Sequence, residues 1–340
     1  MSLVIDTHGT FLGKRGNSLY IKTPNGDSAR RSLYNLTEVI ILSNCSLSSQ
    51  VIELLSTNSI PIVMIRSGNP YAIIHPFFNH GTVHTRREQL SAYWDERGAY
   101  LARAFVLGAM RNKQKLLSYW SRNRKKTNMA VSEELARHAE RIKSLNIEIP
   151  ETGSTADALR NDLMSTEAWA AKEYFAGMKK IIPQEFSFNG REKRPSRDPV
   201  NSMLSYGYAI LYSRVMTTLA ACGLEPFAGY LHSDRSGKPS LVLDMVEEFR
   251  QVAVDREVLK LIMQERVTID GFVSEDNSVQ MSQGTKRVLI AEILEGFNSE
   301  LRIGREKTVP LNRLLMMQSR QLARYLIGKE KNYEPYIFRW

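Results

Sequence analysis

The chain has 340 residues, 46 Lys and Arg against 36 Asp and Glu, a formal net charge of +10 and 43% hydrophobic content. That is long enough for two domains and apolar enough to bury a core, which excludes a disordered protein. Its two cysteines, Cys45 and Cys222, exclude a disulfide framework and a multi-cysteine zinc site. The opening MSLVIDTHGTF has no basic region followed by an apolar core, and no run of about 18 residues is apolar enough to span a bilayer. The expectation is a cytoplasmic protein without a membrane contact, and its excess positive charge favours a polyanionic partner, usually nucleic acid.

In chain order, the first eighty residues read as β-rich. LVI (3–5), TFLGK (10–14) and SLYIK (18–22) are short runs of β-formers, with the turn KRGN between the last two. EVIIL (38–42) and IPIVMI (60–65) are almost wholly apolar, as buried strands are. Between them 46–59 patterns as a short amphipathic helix, and YAIIH (71–75) is one more strand. A small sheet with one helix is the simplest assembly. The fold class expected is α+β, with a β-rich N-terminal domain over 1–80, a linker over 81–90 and a larger all-α domain over 91–340.

Helices are predicted from about Arg86 to Arg122 with a break near Gly108, from Val131 to Leu145, and from Thr155 to Met178. EIPETGS (148–154) reads as a loop. Asp198-Pro199 is a helix start, an N-cap acid followed by Pro at the first helical position. That helix runs to Cys222, stops at Gly223 and carries apolar residues all round, as a buried central helix does.

The charge is uneven. Residues 1–85 carry six bases and four acids, a net of +2, whereas 97–132 carries nine bases and no acid. REKRPSR (191–197) and 302–329, with seven bases against Glu306 alone, add two more basic runs. One such run is ordinarily a solvated helix face. Three in one segment favour a surface that tracks phosphates. Tyr119 and Trp120, beside the first run, pattern as core residues rather than base-stacking ones.

Two places concentrate chemistry. Glu167 lies on the apolar stripe of its helix with Leu159, Leu163, Ala170, Ala171 and Tyr174. A carboxylate facing a core is costly unless paired, protonated or bound to metal, and the plainer reading is a salt bridge to an Arg. In LHSDRSGKPSLVLDMVEEFR (231–250), His232 precedes a turn and Pro239-Ser240 begins a helix, with Ser240 placed to cap it. Asp244, Glu247 and Glu248 then share a face at spacings of three and four. An imidazole and carboxylates converging there suit Mg²⁺ or Mn²⁺ better than zinc. The plainer alternatives are a hydrogen-bonded core histidine and a solvated acidic face. His75, His80 and His84 form a weaker competing cluster. Neither a nucleophilic triad nor a dinucleotide or phosphate loop has a local signature.

With those segments in view, the chain resembles the CRISPR-associated endonuclease and integrase family, Cas-one. The resemblance rests on KRPSRDPVNSMLSYGYAILY (193–212), LHSDRSGKPSLVLDMVEEFR (231–250), MSTEAWAAKEYF (164–175) and the ending RQLARYLIGKEKNYEPYIFRW (320–340). Ala168 stands where the family often has Gly. The resemblance implies Glu167, His232 and Glu247 as metal ligands for Mg²⁺ or Mn²⁺, and Asp244 as the alternative third ligand. Asn201, Lys238 and Arg250 fall at polar positions near the active site. It also implies double-stranded DNA as substrate, both the incoming fragment and the CRISPR repeat. Insertion of new spacers would follow by attack of a 3′-hydroxyl on a phosphodiester. A homodimer joined through the β-domains and a complex with the small Cas-two protein complete the expectation. A transposon-type integrase or branched-DNA nuclease would use the same ligands, and a non-catalytic DNA-binding scaffold would be expected to have lost one of them.

Overall fold

The computed structural model describes residues 2–66, 69–76, 83–145, 155–192, 195–275, 277–303 and 307–339. The chain divides into two compact units, Met1–His80 and Gly81–Trp340.

The first unit holds β1 (Ser2–Ile5), β2 (Thr10–Arg15), β3 (Ser18–Lys22), β4 (Ser28–Ser32), β5 (Glu38–Ile41), β6 (Cys45–Leu47), α1 (Ser49–Thr57), β7 (Ile62–Arg66) and β8 (Asn69–Ile74). The single sheet expected is two four-stranded sheets, ordered β1-β5-β7-β8 and β4-β3-β2-β6. β1, β5 and β7 are parallel neighbours, which explains why EVII and IVMI read as continuous apolar runs. Ile5, Leu12, Leu19, Val39, Ile41, Val51, Leu55 and Ile62 form the core. The two strands that the pattern missed carry little signal. β4 is SARRS, exposed throughout, a charged edge strand. β6 is three residues long and takes the beginning of the stretch predicted as helix. Ser48 ends it and caps α1, its Oγ accepting from the Val51 N–H at 3.2 Å.

The second unit holds α2 (Val83–Ala92), α3 (Glu96–Arg124), α4 (Met129–Ser144), α5 (Ala156–Ile181), α6 (Pro199–Ala221), α7 (Ser240–Val246), α8 (Arg256–Met263), α9 (Gln283–Asn298) and α10 (Leu311–Leu326). It is not all-α. Two antiparallel hairpins interrupt it, β9 (Phe272–Glu275) with β10 (Ser278–Met281), and β11 (Glu300–Ile303) with β12 (Lys307–Pro310). α2 occupies most of the stretch expected as a linker. The loop expected over 148–154 lies outside the described residues. Among the described residues no helix is long and apolar enough to cross a membrane.

α3 is unbroken at Gly108. The interruption falls instead at Tyr93–Asp95, where Asp95 caps α3 by accepting from the Arg97 N–H at 2.8 Å. Gly108 serves a close approach. A Cβ there would stand 2.8 Å from Pro335 Cβ and 3.0 Å from Glu248 Cγ. α6 is the buried central helix the sequence implied. Asp198 caps it through the Asn201 N–H at 2.8 Å, Pro199 opens it, and its buried residues surround the axis. A π-helical turn, Gln251–Asp255, runs into α8, and every residue of it is buried. The extended C-terminal stretch 331–339 lies against these helices. Asn112 Nδ2 donates to the Tyr336 and Glu248 carbonyls, both at 2.8 Å, and its Oδ1 accepts from the Phe338 N–H at 2.7 Å. A buried extended segment needs such partners for its peptide groups.

Gly108→Ala therefore forces the tail or Glu248 aside. We expect a loss of about 1–3 kcal/mol of stability, read as a lower urea midpoint; an unchanged midpoint would mean the tail does not rest there.

Candidate active site

Four elements bring three predicted residues, Glu167, His232 and Glu247, together with Arg250 and a lysine. Glu167 projects from α5, Lys113 from α3, His232 from the loop after α6, and Glu247 and Arg250 from the turn that follows α7. Lys113 Nζ lies 2.7 Å from Glu167 Oε1 and 3.8 Å from Glu247 Oε2. Arg250 Nη1 lies 2.6 Å from Glu247 Oε1, its Nη2 donates to the Tyr212 hydroxyl at 2.6 Å, and its guanidinium faces the Tyr208 ring at 5.0 Å. Glu247 and Lys113 are almost fully buried, their side chains 5% and 3% exposed, whereas Glu167 keeps 21% and so opens the group to solvent. The Lys113 ammonium holds the Glu167 carboxyl below the usual carboxylate range against the opposing effect of burial, and Arg250 and His232 act in the same direction. For Arg250 burial opposes the charge, but Glu247 and the neighbouring tyrosines outweigh it and raise its pKa.

Asp244 does different work. It is fully buried and spends both oxygens on the loop that carries the histidine. Oδ2 accepts from the Tyr230 and Leu231 N–H groups at 2.6 and 3.0 Å. Oδ1 accepts from the His232 N–H at 2.9 Å and from His232 Nδ1 at 2.8 Å. A carboxylate only accepts, so Nδ1 carries a proton and Nε2 is the ring nitrogen left outside this bond. Gly229 permits this closure: a Cβ there would stand 2.8 Å from Asp244 Oδ2 and 2.6 Å from the Ser240 carbonyl carbon. Ser240 is not the cap of α7. Its hydroxyl accepts from the Gly229 N–H at 2.9 Å, and its one proton has the Phe227 carbonyl and Asp234 Oδ1 within reach, so it stitches the same loop.

The acids at spacings three and four thus serve three masters. Glu248 is fully buried and bonds the C-terminal tail, accepting from the Tyr333 hydroxyl at 2.7 Å and the Tyr336 N–H at 3.1 Å; burial pushes its carboxyl up to about 8. Asn201 commits every polar atom to its own neighbourhood. Its Nδ2 donates to Gly190 O and Asp198 Oδ2, and its Oδ1 accepts from Arg191 Nη1 and the Glu192 N–H. Lys238 is half-buried in the loop before α7, and its side chain pairs with no described residue. Of the competing histidines, His80 lies outside the described residues and His84 is exposed beside Glu88.

Lys113 is the residue the sequence reading missed. It was one of nine bases in a run expected to meet phosphates, and its only distinguishing signal is its place beside the buried face of α3. The salt bridge expected for Glu167 exists, with this lysine rather than an arginine. Among the described residues no three His, Cys, Asp or Glu side chains stand ready around a metal ion, because Lys113 lies between the two glutamates. The donor set nevertheless fits a hard cation. Glu247 Oε2 is buried without a hydrogen bond, His232 Nε2 is available, and Glu167 reaches solvent.

Comparison with known proteins defines the class. The family profile described as CRISPR associated protein Cas1 matches residues 3–295. A CRISPR-associated endonuclease Cas1 from Archaeoglobus fulgidus is 32% identical over 349 aligned positions, covering 100% of both chains. One from Francisella tularensis subsp. novicida is 32% identical over 342, covering 99% of each. Among solved structures, a casposase bound to its integration product superposes with a TM-score of 0.81 at 20% identity, over 100% of this chain and 95% of that one. A Cas1 protein from Thermotoga maritima gives 0.78 at 21%, over 100% and 99%. A Cas6-RT-Cas1–Cas2 complex gives 0.76 at 20%, over 99% and 36%. At these identities the structures establish the fold. The chain belongs to the CRISPR-associated Cas1 family.

Behind Arg250, Asp255 is fully buried and accepts from the Tyr174 and Tyr208 hydroxyls at 2.7 and 2.6 Å; burial raises its carboxyl to about 6. The folded protein therefore holds this proton more tightly than the unfolded chain, and the stability gained at acid pH is lost as pH rises through about 6. We expect the stability of the wild type relative to Asp255→Asn to fall by about 3 kcal/mol between about pH 4 and pH 7. Urea midpoints of the two proteins across that range check it, and parallel curves would refute it.

Proposed function

We propose that this chain is a nuclease and integrase of CRISPR adaptation, a divalent-metal-dependent DNA strand transferase that inserts short foreign DNA into a CRISPR array. The observation that carries the reading is the group of two carboxylates and one oriented imidazole in a basic helical unit, with Glu247 Oε2 buried and unsatisfied. Family membership and the printed activity of the relatives, CRISPR-associated endonuclease, support it.

Glu167, His232 through Nε2, and Glu247 would hold Mg²⁺ or Mn²⁺. Such an ion polarises a phosphoryl oxygen and favours the nucleophile when bound. Asp244 is a positioning residue, fixing the tautomer and direction of His232, which makes Glu247 rather than Asp244 the third ligand. Arg250 sets Glu247 by its ion pair and by contact with Tyr208 and Tyr212. Lys113 neutralises both glutamates and stands where charge builds on a phosphate, and Lys238 offers a second ammonium to the same strand. Asn201 acts at one remove, through Arg191. The reaction is a transesterification. A 3′-oxygen of the incoming DNA bonds to phosphorus, the bond to the 3′-oxygen of the repeat strand breaks, and that oxygen takes up a proton. One phosphodiester is formed for one broken, and water in place of the hydroxyl gives hydrolysis. The exposed bases Lys115, Arg122, Lys125 and Lys126 would meet duplex backbone without reading bases. A homodimer joined through the β-rich unit and a complex with a Cas2 protein belong to this reading; a structural neighbour is a Cas1–Cas2 complex by its name.

With Mn²⁺ and a branched DNA containing a repeat sequence, Glu167→Ala should lower strand transfer by at least about a hundredfold while DNA affinity changes by less than about threefold. Surviving strand transfer would overturn the ligand assignment. Asp244→Asn should instead weaken apparent metal affinity by about ten- to a hundredfold, with much of the rate regained at high Mn²⁺. A loss that no Mn²⁺ concentration restores would make Asp244 a ligand itself.

A further inference from the structure

Arg191 precedes α6 and is the first residue of the REKRPSR run. Among the described residues its guanidinium is held by neutral groups alone. Nη1 donates to Asn201 Oδ1 at 2.7 Å and to the Glu192 carbonyl, Nη2 donates to Ser205 Oγ at 3.0 Å, and the Tyr208 ring lies 5.4 Å from its Cζ. Asn201 is fixed in turn, because its amide nitrogen is anchored on Gly190 O at 2.8 Å and Asp198 Oδ2 at 2.6 Å. Asp198, the nearest acid in this chain of bonds, is occupied in capping α6.

Among the described residues no carboxylate lies within ion-pair distance of Arg191. Arg97, Arg160, Arg250, Arg256, Arg266 and Arg324 each have one. Arg191 instead has a second arginine for a neighbour: Arg250 stands 5.0 Å from the same Tyr208 ring. Burial disfavours the Arg191 cation, and the charge of Arg250 adds to the effect. A half-buried guanidinium is ordinarily paired, since desolvation without a counter-ion is costly. Among the described residues the fold pre-aligns the fork, uses three of its five N–H donors and brings no anion to it. Arg250, against the same Tyr208 ring, is the residue that grips Glu247.

We propose that Arg191 binds a backbone phosphate of the DNA strand held at the carboxylate–imidazole group, in a subsite built by Asn201, Ser205 and Tyr208. The identity of the polyanion rests on the function proposed above; the need for an anion does not. A planar fork with donors left over suits a phosphodiester, which offers two unshielded oxygens. The role of Asn201 follows, since its carbonyl oxygen aims the guanidinium without neutralising it.

The experiment measures DNA binding in EDTA, so that it is independent of catalysis. Wild type, Arg191→Gln and Arg191→Lys are titrated with a labelled branched duplex over a range of salt. The same duplex is then used with a neutral methylphosphonate at one linkage at a time near the transferred 3′ end. We expect one linkage at which the neutral substitution weakens wild-type binding by about ten- to a hundredfold. That penalty should vanish in Arg191→Gln, whose salt slope should fall by about one, and should be partly kept in Arg191→Lys. If every linkage keeps its penalty in Arg191→Gln and the slope is unchanged, the subsite is refuted and Arg191 is structural. Should Arg191→Gln fail to fold, the penalty in Arg191→Lys decides: reduced at one linkage supports the subsite, equal everywhere refutes it. Strand transfer by the wild type with Mn²⁺ is scored separately. Its absence would sink the function reading while leaving the phosphate contact to stand or fall on the binding data.

Discussion

The second unit is organised by a single electrostatic constraint. The stretch from α7 through the π-helical turn into α8 buries Asp244, Glu247, Glu248, Asp255 and Glu257, all 4% exposed or less. A buried carboxylate must find donors or cations, or give up its charge. With acids on several sides of one helical stretch, every neighbouring element is conscripted. Asp244 takes backbone N–H groups of the 230–232 loop, Glu247 takes Arg250 and Lys113, and Asp255 takes two tyrosine hydroxyls. Glu248 takes the tail, and Glu257 takes Arg256. The fold around the site is largely the set of answers to those demands.

The pairing of neighbours along the chain gives the arrangement its stiffness. Lys113, between the two glutamates, follows Asn112, which holds three backbone groups. Glu247 precedes Glu248, which holds the same tail through the Tyr333 hydroxyl and the Tyr336 N–H. Adjacent residues on a helix point in different directions. Each pair therefore anchors its segment to the tail with one side chain and presents the other to the site, so the C-terminal stretch is part of the scaffold of the candidate site although none of its side chains is proposed to act there.

What the sequence made legible follows the same physics. Strands β1, β2, β3, β5 and β7, and the caps of α6, announce themselves through local pattern and turn chemistry. Glu167 stood out because an acid on an apolar stripe is anomalous wherever it occurs. Spacing put Asp244, Glu247 and Glu248 on one face but could not divide their labour, because a fully buried stretch has a different neighbour every few tens of degrees, and those neighbours come from residues 113, 232 and 333. Lys113 was hidden among nine bases, since a run of one charge type does not say which member turns inward. β4 was hidden for the opposite reason: an edge strand with no buried face has no alternation to read.

The charge balance of the site bears on how it would bind its substrates. Glu167 and Glu247 contribute two negative charges and Lys113 and Arg250 two positive ones. These four charges cancel, and a divalent cation alone would add an excess of two in a poorly solvated place, where uncompensated charge is expensive. On the proposed reading that excess is cancelled by the phosphodiester together with the charge that develops on the attacking oxygen. Metal and DNA would then each raise the affinity of the other, as linkage requires when two ligands share one electrostatic balance. Displacement of Lys113 from between the glutamates would be driven by the pair of ligands and by neither alone. On the same reading the pairing would be a safeguard in a DNA nuclease, because the carboxylates would stay paired until a substrate strand completes the balance.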